Sequence, residues 1–198
     1  MKAIAIIPAR GGSQRIPGKN WKDFHGKPII QYSIETAIKS GLFDQVVVTT
    51  DGPEIAAAAM RAGAMVVWRS EAMAKDHIGT QEVASTTLAL FRDWPDYACC
   101  IYPTAPMMTV EDLKAGHALL ATAKAMGSYC MSVGTEPLRD AGQWYWGTAQ
   151  AFLDRHNLIG PRTIMYPIPE MRVRDINTPE DWDAALIQYD NMTRREKP

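Results

Sequence analysis

Two kinds of apolar pattern alternate along the first two thirds of the chain, and they predict strands and helices in succession. Continuous apolar runs predict strands at 2–8, 45–50, 65–68, 97–102 and 128–133. Apolar residues at helical spacing predict helices between them, from 28 to a stop at Gly41 and over 54–61, 83–94 and 110–125. Strands that alternate with helices are typical of parallel βαβ units. The pattern therefore predicts an α/β protein built on a mostly parallel sheet.

The rhythm changes after residue 133. A polar connector, an aromatic alternating segment and two strand candidates follow, at 134–139, 142–146, 163–167 and 171–174. Thr178 is the expected N-cap of a last helix, with Asp181 at the capping-box position. Residues 194–198 are expected to be a frayed tail. A length of 198 residues fits one domain, or one domain plus a small appendage, and we expect residues 1–198 to form a single domain.

The loops that leave the predicted strands are polar or rich in Gly and Pro. They lie at 10–20, 50–52, 69–70 and 103–106. In an open parallel sheet these exits lie at one edge, where such sheets bind ligands. We therefore expect them to converge on one ligand.

The first of these loops carries the strongest chemical signal. Gly11 and Gly12 allow backbone N–H groups to approach phosphate oxygens, and Arg10, Arg15 and Lys19 supply positive charge. The loop fits neither the Walker pattern nor the dinucleotide-binding glycine pattern, which argues against a P-loop ATPase and a standard dehydrogenase. We predict polyphosphate binding here, although a Gly-Gly pair beside basic residues also occurs as a solvated turn.

Two later groups of polar residues fit a nucleotide site. Asp175 and Asn177 project to the same side of an extended segment and suit Mg²⁺, although the same pattern also occurs as a turn and helix cap. A second group could bind a base and ribose or be an ordinary solvated loop; it comprises Arg69, Ser70, Asp76 and Thr80.

Composition and charge exclude several classes of protein. The chain has 198 residues, 46% hydrophobic and 22% charged, with a net charge of −1, so it has no global basic field for nucleic acid. Its apolar runs are too short to span a bilayer and its start shows no signal-peptide pattern, so we expect a cytoplasmic protein with no membrane partner. The cysteines, Cys99, Cys100 and Cys130, lie in apolar runs and are expected to be buried thiols.

Six blocks of the chain carry a family resemblance. They are IIPARGGSQRIPGKN, VVVTTDGPEIA, WRSEAMAKDHIGT, CCIYPTAP, DAGQWYW and VRDINTPEDW, in that order. They resemble the CMP-sugar synthetases, the cytidylyltransferases that activate nine-carbon acidic sugars, and most closely the pseudaminic acid cytidylyltransferases. The resemblance implies a Rossmann-like three-layer sandwich of the nucleotide-diphospho-sugar transferase type. It also implies that CTP and an acidic sugar give CMP-sugar and pyrophosphate, with Mg²⁺ as cofactor, in a homodimer.

The resemblance assigns roles position by position. The catalytic, phosphate-holding cations would be Arg10, Arg15 and Lys19. The nucleotide would contact Arg10 together with Ala9, Gly11, Gly12, Ser13, Asn20, Arg69 and Thr80. The acidic sugar would contact Tyr102, Thr104, Arg139 and Gln143. The metal ligands would be Asp175 and Asn177.

Three departures from the family pattern keep other functions open. Gln14 stands where the family usually has Lys, and Asn177 where it often has Asp. The 134–139 connector is shorter than the family's dimerisation arm, which is either lost near 133–139 or not included in this sequence. One alternative is a related nucleotidyltransferase for another acidic sugar, such as an eight-carbon keto-sugar acid. Another is a degenerate nucleotide-binding protein without turnover.

Overall fold

A seven-stranded sheet and a separate two-stranded hairpin form the β structure of the protein. The computed structural model describes residues 2–123 and 128–195. The strands are β1 (Ala3–Pro8), β2 (Asp23–Phe24), β3 (Lys27–Pro28), β4 (Gln45–Thr50), β5 (Met65–Trp68), β6 (Tyr97–Ile101), β7 (Tyr129–Thr135), β8 (Leu138–Thr148) and β9 (Thr163–Pro167). The helices are α1 (Ile29–Ser40), α2 (Pro53–Arg61), α3 (Thr80–Leu88), α4 (Val110–Thr122), α5 (Ala149–Leu153) and α6 (Pro179–Arg195).

The large sheet is mostly parallel, as predicted. Its strand order is β5-β4-β1-β6-β8-β7-β9. β1 pairs in parallel with β4 and β6, β4 with β5, and β7 with β9, whereas β8 is antiparallel to β6 and to β7. Every residue of the central strand β1 is buried, which explains its continuous apolar run.

Helices cover both faces of the sheet and make three layers. One face packs against α1, α2 and α4 through side chains such as Ile34, Ile55 and Leu113. The other face packs against α3 and α5 through Leu88 and Phe152. The predicted α/β three-layer sandwich is therefore confirmed.

A separate apolar cluster joins the start of the chain to its last helix. It comprises Ile16, Phe24, Ile29, Tyr32, Ile176, Trp182 and Ala185, all buried. Phe24 lies in the small β2–β3 hairpin and meets the Trp182 ring edge to face, with ring centroids 5.6 Å apart. Because Ile16 and Ile176 belong to this cluster, it brings residues 10–20 and 175–177 to the same place.

Two predicted elements are wrong in instructive ways. Residues 171–174 do not form a strand, because the carbonyls of Met171 and Arg172 accept hydrogen bonds from the side chains of Gln188 and Gln143 instead of from a strand; a single turn of 3₁₀ helix covers Glu170–Arg172. The helix predicted over 83–94 ends at Leu88. Leu90 and Trp94, which extended its apolar pattern, are exposed.

Other boundaries differ less. The 134–139 segment pairs with itself, Gly134 with Arg139 and Thr135 with Leu138, so it closes a tight β7–β8 hairpin. α6 continues through residues 194 and 195, which were expected to fray. Residues 124–125 of the predicted 110–125 helix and 196–198 of the predicted tail lie outside the described residues.

The cysteine prediction is confirmed. All three thiols are free and buried, and Cys99 and Cys100 face opposite sides of the sheet. Burial raises the pKa of the Cys100 thiol to about 12, so it is protonated at neutral pH. Across 2–123 and 128–195, no helix has the length and apolar character needed to cross a membrane.

Candidate functional site

A cavity of about 460 Å³ lies where the parallel strands end, as the polar strand exits predicted. Four segments line it: the first loop (residues 10–20), the 69–80 segment, the exit of β6 and the 175–177 segment. Among the predicted site residues, those that line this first cavity are Arg10, Ser13, Arg15, Lys19, Asn20, Arg69, Thr80, Tyr102, Thr104, Asp175 and Asn177. Four cations therefore face one space.

The base of the first loop is fastened to the exit of β4. The Gly11 amide donates to Asp51 Oδ1 at 2.9 Å, so this predicted phosphate donor has a partner within the protein. A Cβ on Gly11 would lie 3.4 Å from the Gly52 Cα, which shows how closely the two turns approach. Gly12, by contrast, has nothing within 4 Å of an added Cβ. Ala9 is fully buried below the loop.

Two of the three cations of the first loop, Arg15 and Lys19, form hydrogen bonds with the 175–177 segment. Arg15 Nη2 donates to Asn177 Oδ1 at 3.2 Å, and Lys19 Nζ donates to the Ile176 carbonyl at 2.6 Å. Asn177 Nδ2 in turn donates to Asp175 Oδ2 at 2.5 Å. Both tethers use neutral oxygens, so the two positive charges keep their attraction for an anionic ligand.

The first cavity favours an anion electrostatically. Burial lowers the pKa of Lys19, Asp175 raises it, and Arg15 and Arg10 lower it again. Burial also lowers the pKa of the Arg69 guanidinium, against the raising effect of Asp51. A bound polyphosphate would offset both penalties, because opposite charge favours the protonated forms.

Two buried polar atoms in the cavity wall have no hydrogen-bond partner among the described residues. They are Arg69 Nε, a donor, and Asn20 Oδ1, an acceptor. Asn20 Nδ2 donates to the Arg10 carbonyl at 2.9 Å, which sets the orientation of its amide. An unpaired buried polar group costs about 1–3 kcal/mol. A ligand that offers an acceptor to Arg69 and a hydroxyl to Asn20 recovers this cost, and a nucleoside has both groups.

The segment from Asp140 to Gln143 supports the cavity wall from behind. Tyr102 donates its hydroxyl to Asp140 Oδ2 at 2.7 Å, and the Gly142 amide donates to Asp140 Oδ1 at 2.8 Å. Burial raises the pKa of Tyr102, so the phenol is the donor in this pair. Burial also raises the pKa of Asp140, and the two hydrogen bonds oppose that shift.

Gln143, predicted to contact the sugar, is buried and does not line the first cavity. Its side-chain Nε2 donates to the main-chain carbonyl of Arg172 at 2.8 Å, and its main-chain carbonyl accepts from the Tyr102 amide at 2.8 Å. Gly142 packs directly on Asp175, since an added Cβ would lie 2.8 Å from the Asp175 Cα. This segment therefore sets the position of Asp175.

An ion pair between the buried Asp112 and the partly buried Arg172 fixes the same region to α4. Arg172 holds both carboxylate oxygens of Asp112, with Nη2 3.2 Å from Oδ1, and Nη1 also contacts Thr109. Sequence patterns did not single out Asp112, Asp140 or Arg172. For Asp140, its place at the head of the DAGQ block was the available signal; for the ion pair there was none, because its partners are far apart in the chain.

A second cavity of about 460 Å³ lies on the other side of Asp175, which lines both spaces. It contains Arg139, predicted to bind the sugar, together with Asp140, Glu170 and Arg174. Arg139 Nη2 donates to Glu170 Oε2 at 2.7 Å, and Nη1 to the Pro137 carbonyl at 3.0 Å. Arg139 therefore lines the second cavity and not the first, and Asp175 is a residue that the two cavities share.

The donor set for a metal ion is small. Over 2–123 and 128–195, no group of three or more His, Cys, Asp or Glu side chains could hold one. Asp175 presents a carboxylate to the first cavity, whereas the oxygen of Asn177 already accepts from Arg15. Such a set fits Mg²⁺, which takes one or two carboxylates and completes its shell with water and phosphate oxygens.

Comparisons with known proteins agree with this geometry. A family model described as cytidylyltransferase matches residues 4–152. A pseudaminic acid cytidylyltransferase of Campylobacter jejuni subsp. jejuni serotype O:2 is 31% identical over 96% of this chain and 97% of its own length. That alignment has 224 positions against 198 residues here, so the relative contains positions without a counterpart in this chain.

Two further similarities extend the comparison. A CMP-N,N'-diacetyllegionaminic acid synthase of Legionella pneumophila subsp. pneumophila is 37% identical over 58% of this chain and 51% of its own length. A solved structure described as CMP:2-keto-3-deoxy-manno-octonic acid synthetase complexed with CTP superposes with a TM-score of 0.78. It is 17% identical and covers 97% of this chain and 100% of that one, so it shows the same fold.

The contact between Gly142 and Asp175 makes a stability prediction. Gly142→Ala should lower the free energy of unfolding by about 1–3 kcal/mol, the range for overpacking, because Gly142 has a φ of +70° and its new Cβ would overlap Asp175. Gly12→Ala, which has open space around it, is the matched control and should change stability by less than about 0.5 kcal/mol. Urea unfolding measures both. Equal stability of the two variants would contradict the assigned packing.

Proposed function

The chain belongs to the cytidylyltransferase family, a family of CTP-dependent nucleotidyltransferases, and we propose that it activates a nine-carbon acidic sugar of the pseudaminic acid class. In this reaction the anomeric hydroxyl of the sugar attacks the α-phosphate of CTP, and pyrophosphate leaves. The observation that carries the proposal is the first cavity, in which four cations and Asp175 converge. The relative that aligns over 96% of this chain supports the choice of sugar class.

The first loop is assigned to the triphosphate. Arg10, Arg15 and Lys19 neutralise the charge that shifts onto pyrophosphate as the bond to the α-phosphorus breaks. Such a reaction needs positioning and charge stabilisation more than a side-chain nucleophile. The tethers of Arg15 and Lys19 to residues 176 and 177 supply that positioning before CTP arrives.

The nucleoside is assigned to the neighbouring wall of the first cavity. Asn20 Oδ1 accepts a ribose hydroxyl, and Arg69 Nε donates to an acceptor of the ribose or cytosine, because both atoms are buried without a protein partner. Thr80 borders the same wall, where its hydroxyl lies 3.0 Å from that of Tyr145. Ser13 lines the first cavity and Gly12 has open space beside it, so both complete the proposed nucleotide contacts. Ala9 is buried below the loop and the Gly11 amide is held by Asp51, so these two residues are assigned to shaping the loop around the nucleotide.

Asp175 is the protein carboxylate that would hold a divalent cation, Mg²⁺ in our proposal. When bound, the cation withdraws charge from the phosphate oxygens and orients them. Asn177 supports Asp175 through the 2.5 Å hydrogen bond, and its Oδ1, which accepts from Arg15, would be its ligand atom for the cation. Lys19 and Arg15 hold the phosphates on the side of the cavity facing this pair.

The acidic sugar is assigned to the space beside Asp175. Tyr102 and Thr104 line the first cavity at the exit of β6, and Arg139 lines the second cavity. A nonulosonic acid carries a carboxylate next to its anomeric carbon, and a guanidinium can hold it through two hydrogen bonds. Gln143 contributes by setting the backbone of residue 172 rather than by facing either cavity.

The arrangement of the chain as one domain with a shortened arm is also a proposal. The β7–β8 turn is tight, and the Campylobacter relative has positions without a counterpart here. The tight turn supports loss of the arm near 133–139, and the alignment supports a chain that is shorter than this relative. The homodimer implied by the resemblance stays a prediction.

A related cytidylyltransferase acting on an eight-carbon keto-sugar acid is the second candidate. The solved structure with a TM-score of 0.78 favours it, since its description names such an acid and CTP. The third candidate, a nucleotide-binding protein without turnover, is less favoured. Gln14 stands where the family usually has Lys, but four other cations still line the first cavity.

Pyrophosphate release with CTP, Mg²⁺ and a panel of acidic sugars tests the proposed function. Pseudaminic acid should react fastest, and Lys19→Ala should lose most of the rate while retaining its fold. Reaction with the eight-carbon acid alone would favour the second candidate. CTP binding without release for any sugar would favour the degenerate alternative.

The metal assignment predicts opposite effects at two neighbouring positions. Asp175→Asn should lower kcat/KM by about 100-fold at ordinary Mg²⁺, since it removes the carboxylate ligand. Asn177→Asp should lower the Mg²⁺ concentration needed for half-maximal rate, because it adds a carboxylate. Titration of the rate with Mg²⁺ measures both effects. Full activity in excess chelator would show that no metal is needed.

The Arg139 assignment predicts a contrast between the two members of its ion pair. Arg139→Ala should lower kcat/KM for the sugar by about 10- to 100-fold, the range for a lost charge-assisted hydrogen bond, with CTP affinity unchanged. Glu170→Gln keeps the Arg139 guanidinium but replaces the carboxylate that competes with the sugar carboxylate for it. This variant should therefore lower the sugar KM. If both variants raise the sugar KM equally, Arg139 and Glu170 form only a structural tie.

A further inference from the structure

One carboxylate stands out among the cations of the first cavity. Asp76 lines this cavity and forms an ion pair with Arg10. The Asp76 side chain is 54% exposed and that of Arg10 is 33% exposed, so solvent and ligands reach both groups. A polyphosphate in the same space would meet this negative charge directly.

The position of Asp76 differs from that of a carboxylate that orients an arginine from behind. Asp51, which holds the Gly11 amide, does not line the cavity, whereas Asp76 does. A carboxylate inside the cavity occupies the space that a phosphate needs, and the two anions repel each other. Asp76 and a phosphate therefore compete for Arg10.

The segment that carries Asp76, residues 71–78, makes few contacts that would hold Asp76 in place. Its 3₁₀ turn at Glu71–Ala74 contains no buried residue. Within the described part of the chain, the ion pair with Arg10 is the one side-chain hydrogen bond or salt bridge made by residues 71–78. Moving Asp76 away from Arg10 thus breaks few other contacts.

The other two first-loop cations are held differently. Arg15 and Lys19 contact neutral oxygens of Asn177 and Ile176. A phosphate can join them without bringing two anions together. Of these three cations, Arg10 is the one whose partner a phosphate has to displace.

We propose that Asp76 is a built-in competitor of the polyphosphate, which holds Arg10 in the empty site and returns to it as pyrophosphate leaves. The inference rests on the proposed function, in which the first loop binds the triphosphate of CTP. Asp76 thereby weakens the binding of CTP and pyrophosphate and speeds the release of pyrophosphate. It is a residue that sets ligand affinity and takes no part in bond making.

Asp76→Asn tests this proposal against Glu71→Gln. The control removes the same charge from the same loop at an exposed position that does not line the cavity. Calorimetry with CTP and with pyrophosphate, each with Mg²⁺ and without sugar, should show binding about three- to five-fold tighter for Asp76→Asn, as expected for a partly exposed ion pair. Glu71→Gln should bind within about two-fold of the wild type.

Two further measurements separate competition from a general charge effect. Cytidine, which has no phosphate, should compete with CTP with the same inhibition constant in the wild type and in Asp76→Asn. Pyrophosphate should become a stronger product inhibitor of Asp76→Asn, and the difference should shrink at high salt. Tighter cytidine binding, or equal tightening in Glu71→Gln, would overturn the proposal.

Weaker CTP binding by Asp76→Asn would also overturn it, since Asp76 would then orient Arg10 for the phosphate. If the wild type binds CTP and Asp76→Asn binds it with the same affinity, the proposed competition is wrong, although the proposed function stands. If the wild type binds neither CTP nor pyrophosphate, the proposed function fails together with this inference. The measurements on the wild type therefore distinguish the two failures.

Discussion

The apolar cluster that joins Ile16 to Ile176 is the constraint on which the candidate site depends. It buries both side chains with Phe24 and Trp182, and burial of such large side chains contributes about 1.5–3 kcal/mol each. Because the cluster brings the first loop and the 175–177 segment together, Arg15 and Lys19 reach oxygens about 160 positions away in the chain. Without this packing the cations and Asp175 would belong to separate surfaces.

The charged groups around the site follow two different rules. Away from the cavity, the buried Asp112 is satisfied by the partly buried Arg172 through a bidentate pair, because an unpaired buried charge is strongly destabilising. Inside the cavity, Lys19 and Arg69 remain under-compensated, and burial lowers their pKa values. The protein thus satisfies the supporting pair internally and leaves Lys19 and Arg69 to be compensated by the proposed anionic ligand, whereas Arg10 is paired with Asp76.

Asp175 stands at the boundary of two spaces, which gives the two proposed substrates separate positions. Its backbone is set by Gly142, and Gln143 holds the carbonyl of residue 172. In the structure the DAGQ block holds the backbone beside Asp175. The family resemblance assigned Gln143 to the sugar, and that assignment stays a prediction, because Gln143 is buried and its Nε2 holds the carbonyl of residue 172.

The sequence by itself determined the α/β class, most strand positions, the buried thiols and the place of the basic, glycine-containing loop at the edge of the sheet. These depend on local patterns: apolar runs indicate strands buried on both faces, and a polar loop that follows a parallel strand lies at the edge where such sheets form their cavities. Tertiary structure alone decided the irregular 171–174 segment, the occupation of the Gly11 amide by Asp51 and the pairing of Arg10 with Asp76. Each of these depends on a partner distant in sequence, and residue spacing carries no information about which distant groups the folded core brings into contact.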